Sequence, residues 1–556
     1  MSELTELIVP QAETRSASKA GRLTNWIGFW TVIGLALTGV GLIQAMWLPV
    51  SVLPGVYPGI NLTNVMLIGL AGMLFVLLTI WMMGRLVGQE APDYSFGTRV
   101  IHPPLGFAFS WTLLIGGGLF IGFLASTFAR SILPDLANLL GNVLGIYDLQ
   151  VFADALNNPQ VMVYLGSGLI FTAFILSILS PRVIRSIIGW GAGISIAGWL
   201  VILGQFAALP QNRFSELFDR IFGAGSHSLH LNLAFQLGMK AQGETLPEMI
   251  AIGLLIGLSG FFALGLPVWM SGELRTQRRH LVPAGLLALI AAGFLGVAAV
   301  ALIERSISWQ FLAAESFLRL KGITGEGGVV LPMPVSTPGG GSSTGVLRGI
   351  VMPWLPFYAA VVQPNPLVLF FLAVVWIVMF VLVVQVYMIS LSRILKAWAD
   401  DHLMPEWVGL VHARQHSPLF ALLLVTIIAL LVVIDAAQAN WIGKHYNFAL
   451  FVAFGLLLPV LALIKDPYHF LKEGEDKPSR GWVRFLGVTT LLILIAVITL
   501  PYVFQVKILP VDWQSAVLLA IVFLSGLFWF TGRRLYLKQR GIDLMAIYKK
   551  PPEKSQ

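Results

Sequence analysis

About twelve stretches of this chain are long, apolar and free of Asp, Glu, Lys, Arg and His: residues 28–48, 62–83, 106–129, 161–180, 187–209, 249–271, 282–303, 367–391, 418–434, 447–464, 485–505 and 513–531. A helix needs about 20 mainly apolar residues to cross a bilayer. Apolar side chains lie all around most of these stretches, which predicts bundle helices rather than surface-lying amphipathic ones. The chain is 57% hydrophobic and 11% charged, against roughly 25% charged for a soluble protein. Only a bilayer covers that much apolar surface. The sequence therefore predicts an all-α integral membrane protein whose buried polar chemistry comes from backbone and neutral side chains. Carriage of a solute fits this better than catalysis within the membrane.

The charge of +8 is distributed as a topology signal. With the N-terminus inside, 25 of the 35 Lys and Arg fall on the inner side, as the positive-inside rule requires. The tail cluster Arg533, Arg534, Lys538 and Arg540 reads as an anchor on anionic lipid, not a nucleic-acid surface. Both termini are expected in the cytoplasm, and the membrane is expected to be the plasma membrane. There is no cysteine, so disulfides, thiolate metal sites and cysteine nucleophiles are excluded. The nine histidines show no convincing ligand spacing, including His227 and His230, and no cofactor is implied. An enzyme would need a nucleophile, acid/base or metal cluster near the interface.

Two outer segments carry apolar residues at helical spacing: 130–160, with Leu136, Leu139, Leu140, Val143 and Leu144, and 210–248, with Phe214, Leu217 and Ile221. Both are expected to form short helices capping the outer face. The longest loop, 305–366, contains Pro338 followed by Gly339, Gly340, Gly341, Ser342 and Ser343, a composition expected to leave it partly disordered. Span 1 holds Gly34, Gly39 and Gly41; span 6 holds Gly253, Gly257, Gly260 and Gly265, then Pro267. These spans lie five helices apart. Glycine in membrane helices permits close packing, and carriers built from inverted repeats interrupt helices at corresponding positions. Glycine content alone leaves both readings open.

Three inner-side motifs point further. The first is Ala91-Pro92-Asp93-Tyr94-Ser95-Phe96-Gly97-Thr98-Arg99-Val100-Ile101-His102-Pro103-Pro104-Leu105-Gly106-Phe107. The second runs from Gly260-Phe261-Phe262-Ala263-Leu264 to Ser271-Gly272-Glu273-Leu274-Arg275-Thr276-Gln277-Arg278-Arg279. The third is Ser392-Arg393-Ile394-Leu395-Lys396-Ala397-Trp398-Ala399-Asp400-Asp401-His402-Leu403-Met404-Pro405. In order and placement the set resembles the amino acid–polyamine–organocation (APC) superfamily of transporters, amino acid permease type, over roughly residues 22–465. The departures are Ala91-Pro92 for a glycine pair, Thr276-Gln277 for Asn-Pro, His402 for a glycine, and Thr38-Gly39-Val40-Gly41 for a Gly-Ser-Gly stretch.

The resemblance implies about twelve transmembrane helices in a LeuT-type fold, a 5+5 inverted repeat plus two C-terminal helices. The expected organisation is an N-terminal tail 1–27, a first repeat 28–210, an outer loop 211–248, a second repeat 249–465 that includes loop 305–366, helices 11 and 12 within 466–531, and a C-terminal tail 532–556. It also implies solute held between helices 1 and 6. The partners are then the bilayer and a small-molecule substrate, an amino acid or amine. A carboxylate is expected near Thr38, Gly39, Val40 and Gly41, and an ammonium between those carbonyls and the ones of Phe261, Phe262 and Ala263. Leu264, Gly265 and Trp269 complete the candidate set, with Trp269 and the two phenylalanines shaping the side-chain pocket. Arg22, Asp93, Tyr94, Glu273, Asp400 and Asp401 are the candidate gate residues. No drawn span contains a titratable group, so the coupling ion, proton or sodium, is not specified. The alternative function is a channel or a transporter-like sensor of small solutes.

Overall fold

The structure, a computed structural model, describes residues 23–41, 46–210, 213–241, 244–275, 278–321, 353–471 and 476–549. Twelve helices organise it: α1 Phe29–Val40, α2 Leu62–Val87, α3 Pro103–Thr127, α4 Pro159–Ser177, α5 Pro181–Ala208, α6 Leu246–Phe261, α7 Leu281–Ser306, α8 Pro366–Asp400, α9 Leu419–Gln438, α10 Phe448–Lys465, α11 Arg480–Val503 and α12 Trp513–Gln539. Among the described residues eleven helical segments are long and apolar enough to cross a membrane, α6 being counted with its continuation to Glu273; α1 is a shorter apolar helix. Among the described residues the one extended pairing is an isolated parallel bridge between Ile27 and Leu274.

Local chemistry sets the helix ends. The Asn61 side chain caps α2 by accepting from the Asn64 amide, and Gly88 closes it in the left-handed region at φ 62°. Thr245 and Glu248 form a reciprocal capping box at the start of α6. Such caps satisfy amides that have no partner within the helix. The two C-terminal helices brace the bundle. In α11, Thr490 bonds Thr79 of α2 at 2.7 Å. In α12, Gly526 packs against the backbone of α3 at Ala108.

Span 1 departs from a continuous helix over 28–48. Helical bonding stops at Val40, and Gly41 turns left-handed at φ 47°, a conformation glycine adopts at no steric cost. Residues 42–45 lie outside the described set; helical structure is present again from Met46, running through a π-turn at Leu48–Val52 to Leu53–Val56. Span 6 changes character instead. After Phe261, at φ −112° and ψ −2°, the chain follows a 3-10 path over Phe262–Glu273 with a further departure at Met270. Runs of 3-10 helix beyond 3–4 residues are uncommon and often mark hinges.

Glycines bring these elements together. The α2–α6 crossing is a backbone contact, since a Cβ at Gly257 would sit 2.5 Å from the Gly69 carbonyl oxygen. Gly265 faces Leu77 and Ile80 of α2. A Cβ at Gly39 would lie 3.3 Å from the Ala263 carbonyl oxygen and 3.1 Å from Val386 of α8. Short helices Leu133–Leu144, Tyr147–Leu156, Arg213–Phe222 and Ser226–Gln236 occupy the two predicted capping segments. Loop 305–366 holds helices Trp309–Leu320 and Leu355–Val362; its Pro338–Ser343 stretch lies outside the described residues. The cap is knitted by rings, with Phe218 touching Phe311 at 4.9 Å and Phe214 touching Tyr358 at 5.9 Å.

Candidate functional site

A cavity lies between the helical turn at Trp47–Leu48 and the end of α6. Its walls come from Trp47 and Leu48, from Ile256, Ser259 and Gly260 of α6, from Phe120, Phe123, Leu124 and Thr127 of α3, from Phe380 of α8, and from Tyr446, Phe448 and Trp354. Its volume is about 60 Å³, against ~10–15 Å³ for a single water. The lining is mostly aromatic and aliphatic. Three polar groups on it have no hydrogen-bond partner among the described residues: the Ser259 hydroxyl and the indole N–H groups of Trp47 and Trp354. Unpartnered buried donors are costly, about 1–3 kcal/mol each, so they favour a guest that brings acceptors. The Tyr446 hydroxyl already donates to the Gly116 carbonyl at 2.6 Å.

Below the cavity an aromatic layer closes the path. Phe120 stacks on Phe448 at 4.0 Å and meets Tyr387 at 5.1 Å. Phe262 meets Phe448 at 5.7 Å and Trp269 at 5.5 Å.

The predicted binding residues lie off the wall of this cavity. Gly39 and Ala263 are brought into contact, as described above. Thr38 spends its hydroxyl inside α1, donating to the Gly34 carbonyl at 2.7 Å. Val40 is buried and Gly41 ends the helix. Phe261 reaches toward Gly296 of α7. The Leu264 carbonyl accepts from the Trp81 indole at 3.2 Å, so Leu264 is tied to α2, as is Gly265. Trp269 lies beneath the aromatic layer rather than on the cavity wall, where it donates to Asp93 Oδ1 at 2.6 Å. The cavity-lining Ser259, Gly260 and Trp47 are absent from the predicted set. The signal for Ser259 was available: it is the one hydroxyl in the Leu246–Phe261 helix.

The gate candidates form two buried clusters at the Glu273 end. Glu273 bonds Arg393 through Oε1 to Nε at 2.7 Å and Oε2 to a terminal guanidinium nitrogen at 3.3 Å. It also accepts from the Trp26 indole at 2.6 Å. The partner is thus Arg393 on α8, not the neighbouring Arg275, Arg278 or Arg279. The second cluster centres on Asp401, which takes two bonds from Arg99 at 2.8 and 2.9 Å and one from the Tyr94 hydroxyl at 2.7 Å. Tyr94 also bonds the Tyr548 hydroxyl at 2.8 Å. Burial and the Asp401 charge hold the Tyr94 phenol well above its usual range. Asp400 pairs with Lys396 at 2.5 Å and is half-exposed. Arg22 lies outside the described residues. Arg99, Arg393 and Tyr548 are therefore gate partners missing from the predicted set, although the first two sit inside the quoted motifs.

Asp93 is 3% exposed in helix Pro92–Phe96. Besides Trp269 it accepts from the Ser110 hydroxyl at 3.3 Å. Burial pushes its carboxyl up to about 6, partly offset by the Trp269, backbone and Ser110 donors. Glu90, nearby on the same loop, is also raised by burial, with Lys396 pulling the other way.

At the capping end, His230 Nδ1 lies 2.5 Å from Glu315 Oε1, and His227 stacks on Phe311 at 4.3 Å. Among the described residues no three His, Asp or Glu side chains group as metal ligands.

Comparison with known proteins bears on what this arrangement serves. The family model described as "Amino acid permease" matches residues 27–527. A stretch of 154 residues is 27% identical to "Cationic amino acid transporter 8, vacuolar" of Arabidopsis thaliana, covering 28% of this chain and 22% of that relative. The similarity thus spans about a fifth of the relative's length.

Proposed function

Because the chain belongs to the amino acid permease family of the APC superfamily, we propose that it is a secondary carrier moving an amino acid or related amine by alternating access. In this reading helices 1–5 and 6–10 form two inverted repeats, spans 1 and 6 are broken helices, and the Glu273 end faces the cytoplasm of a plasma-membrane carrier. The observation that carries the reading is the contact of α1, at Gly39 just before it stops at Gly41, with the altered helix after Phe261, near a mostly apolar cavity walled by Ser259 and Gly260.

The chemistry supports it. A zwitterion is very costly to place in hydrocarbon undressed. Helix ends expose N–H and C=O groups that water satisfies elsewhere. Amides at a half-helix start carry part of a positive dipole and hold a carboxylate. Carbonyls around Thr38–Gly41 and Phe261–Ala263 serve the ammonium, and no charged side chain is needed. Ser259, Trp47 and Trp354 add neutral donors at the cavity. The aromatic walls favour an apolar side chain. The relative is named for cationic amino acids, so a cationic solute is the second arm of the test.

The test is uptake and counterflow of L-leucine and L-arginine by purified protein in liposomes. Saturable uptake accelerated by internal amino acid is expected; unsaturable flux without counterflow sinks the carrier reading. Gly41→Leu should abolish transport while the protein still folds into the membrane, because a bulky side chain is strained at φ 47°. Unimpaired transport by that variant places the solute elsewhere.

A further inference from the structure

We propose that Asp93 is the proton-binding group of this carrier, so that a proton crosses with each solute. The proposal rests on the carrier reading above and names its driving ion.

The argument starts from how buried carboxylates are partnered. Glu273 has Arg393, Asp401 has Arg99, Glu315 has His230 and Asp135 has Arg319. Asp93 is as buried as these, yet its described side-chain partners are neutral: an indole N–H and a hydroxyl. A carboxylate without a cation in a low-dielectric setting favours its protonated form. Burial raises Asp93 to about 6, a range that everyday pH differences across a membrane span. A buried carboxyl with a raised pKa, held by a specific neutral donor, is a functional candidate.

The surroundings leave Asp93 as the group that changes charge. On its own loop and helix lie Glu90 and Tyr94. The α6 extension contributes Glu273, already paired. The segment Gly97–Ile101 contributes Arg99, engaged with Asp401. From α8 come Arg393, Lys396 and Asp400, each in an ion pair. Helix α2 ends in Arg85, bound to Asp476. Lys465 of α10 donates to the Val100 carbonyl. Helix α3 presents Ser110, with His102 at its start.

Coupling follows from the atom that Asp93 holds. Trp269 belongs to the Phe262–Glu273 segment, whose Phe262 packs on the cavity-lining Phe448. An ionised Asp93 holds the indole through a charge-assisted bond, roughly twice as strong as a neutral one. When a proton adds to the carboxylate, one O–H bond forms, the charge disappears and that hold weakens. The proton state of Asp93 thereby sets how firmly the solute-bearing segment is pinned at the Glu273 end. Release of the proton restores the pin.

The test uses full-length protein in liposomes with L-leucine and L-arginine as probes. A gradient of one pH unit supports about tenfold accumulation at one proton per solute. Wild type is expected to reach this, and Asp93→Asn only to equilibrate, with counterflow falling far less than accumulation. Full accumulation by Asp93→Asn overturns the proposal. A second readout is independent of transport: infrared difference spectra of the purified protein should show a protonated-carboxyl band growing as pH falls through about 6. That band should vanish in Asp93→Asn, persist in Glu90→Gln, and titrate at higher pH in Trp269→Phe. A band that persists in Asp93→Asn, or is missing from wild type, overturns the proposal even if neither probe is transported. Absence of transport together with the expected band instead sinks the carrier reading for these probes.

Discussion

At the scale of single residues, the position of Asp93 has a consequence for stability as well as transport. Its carboxyl titrates at about 6 in the fold against 3.8 unfolded. Between those values the folded protein keeps a proton that the unfolded chain has released. Stability therefore falls as pH rises through this window and is level above it. Asp93→Asn removes that slope and should stabilise the protein at pH 7.5, by up to ~3 kcal/mol at 1.36 kcal/mol per pKa unit. Melting temperatures of the two proteins across pH 4–8 check this; parallel curves refute it. Glu273 and Arg393 behave differently. Each is almost fully buried, at 1% and 3% exposure, and removing one leaves the other charge stranded.

At the scale of elements, glycine determines how closely helices approach. A Cβ on Gly257 meets the α2 backbone, which cannot rotate away as a side chain can. Gly257→Leu should lower stability by at least ~1–3 kcal/mol, the usual cost of overpacking. Gly168→Leu, with open space around that α4 glycine, should change little; thermal denaturation in detergent compares them. This explains which parts of the fold were legible in the sequence. Apolar runs without charge mark the spans because the bilayer imposes their length on each segment separately. Glycine-rich spans 1 and 6 were likewise visible, but a sequence gives no direction to a glycine. Gly257 serves the α2 crossing, whereas Gly260 lines the cavity and Gly41 ends a helix. The motifs contained Glu273 and Asp401 and also Arg393 and Arg99, but nothing in them said which would pair with which. Arg393 lies 120 positions from Glu273, and Arg99 lies 302 positions from Asp401; only the folded topology joins them.

At the scale of the whole molecule, buried polar contacts gather at the Glu273 end. There lie the Asp93–Trp269 bond, the Glu273–Arg393 pair and the Asp401 cluster. Breaking a buried pair costs about 3–5 kcal/mol, enough to shift an opening equilibrium more than tenfold at 1.4 kcal/mol per decade. A cysteine placed at Ser95, buried in helix Pro92–Phe96, tests this on a chain with no native thiols. Maleimide labelling at Ser95→Cys should rise at least about tenfold when Glu273→Gln is added; an unchanged rate would mean the pair does not hold this end shut.

Helix α12 adds a clasp at that end. From α12, Trp529 and Arg533 grip the backbone carbonyls of Leu403 and His402, and beyond it Tyr548 shares a hydrogen bond with Tyr94. The stretch from Trp529 to Tyr548 is thus a hasp across the Asp401 end of the bundle. A version shortened ahead of α12 would lose all three fastenings and leave that end slack.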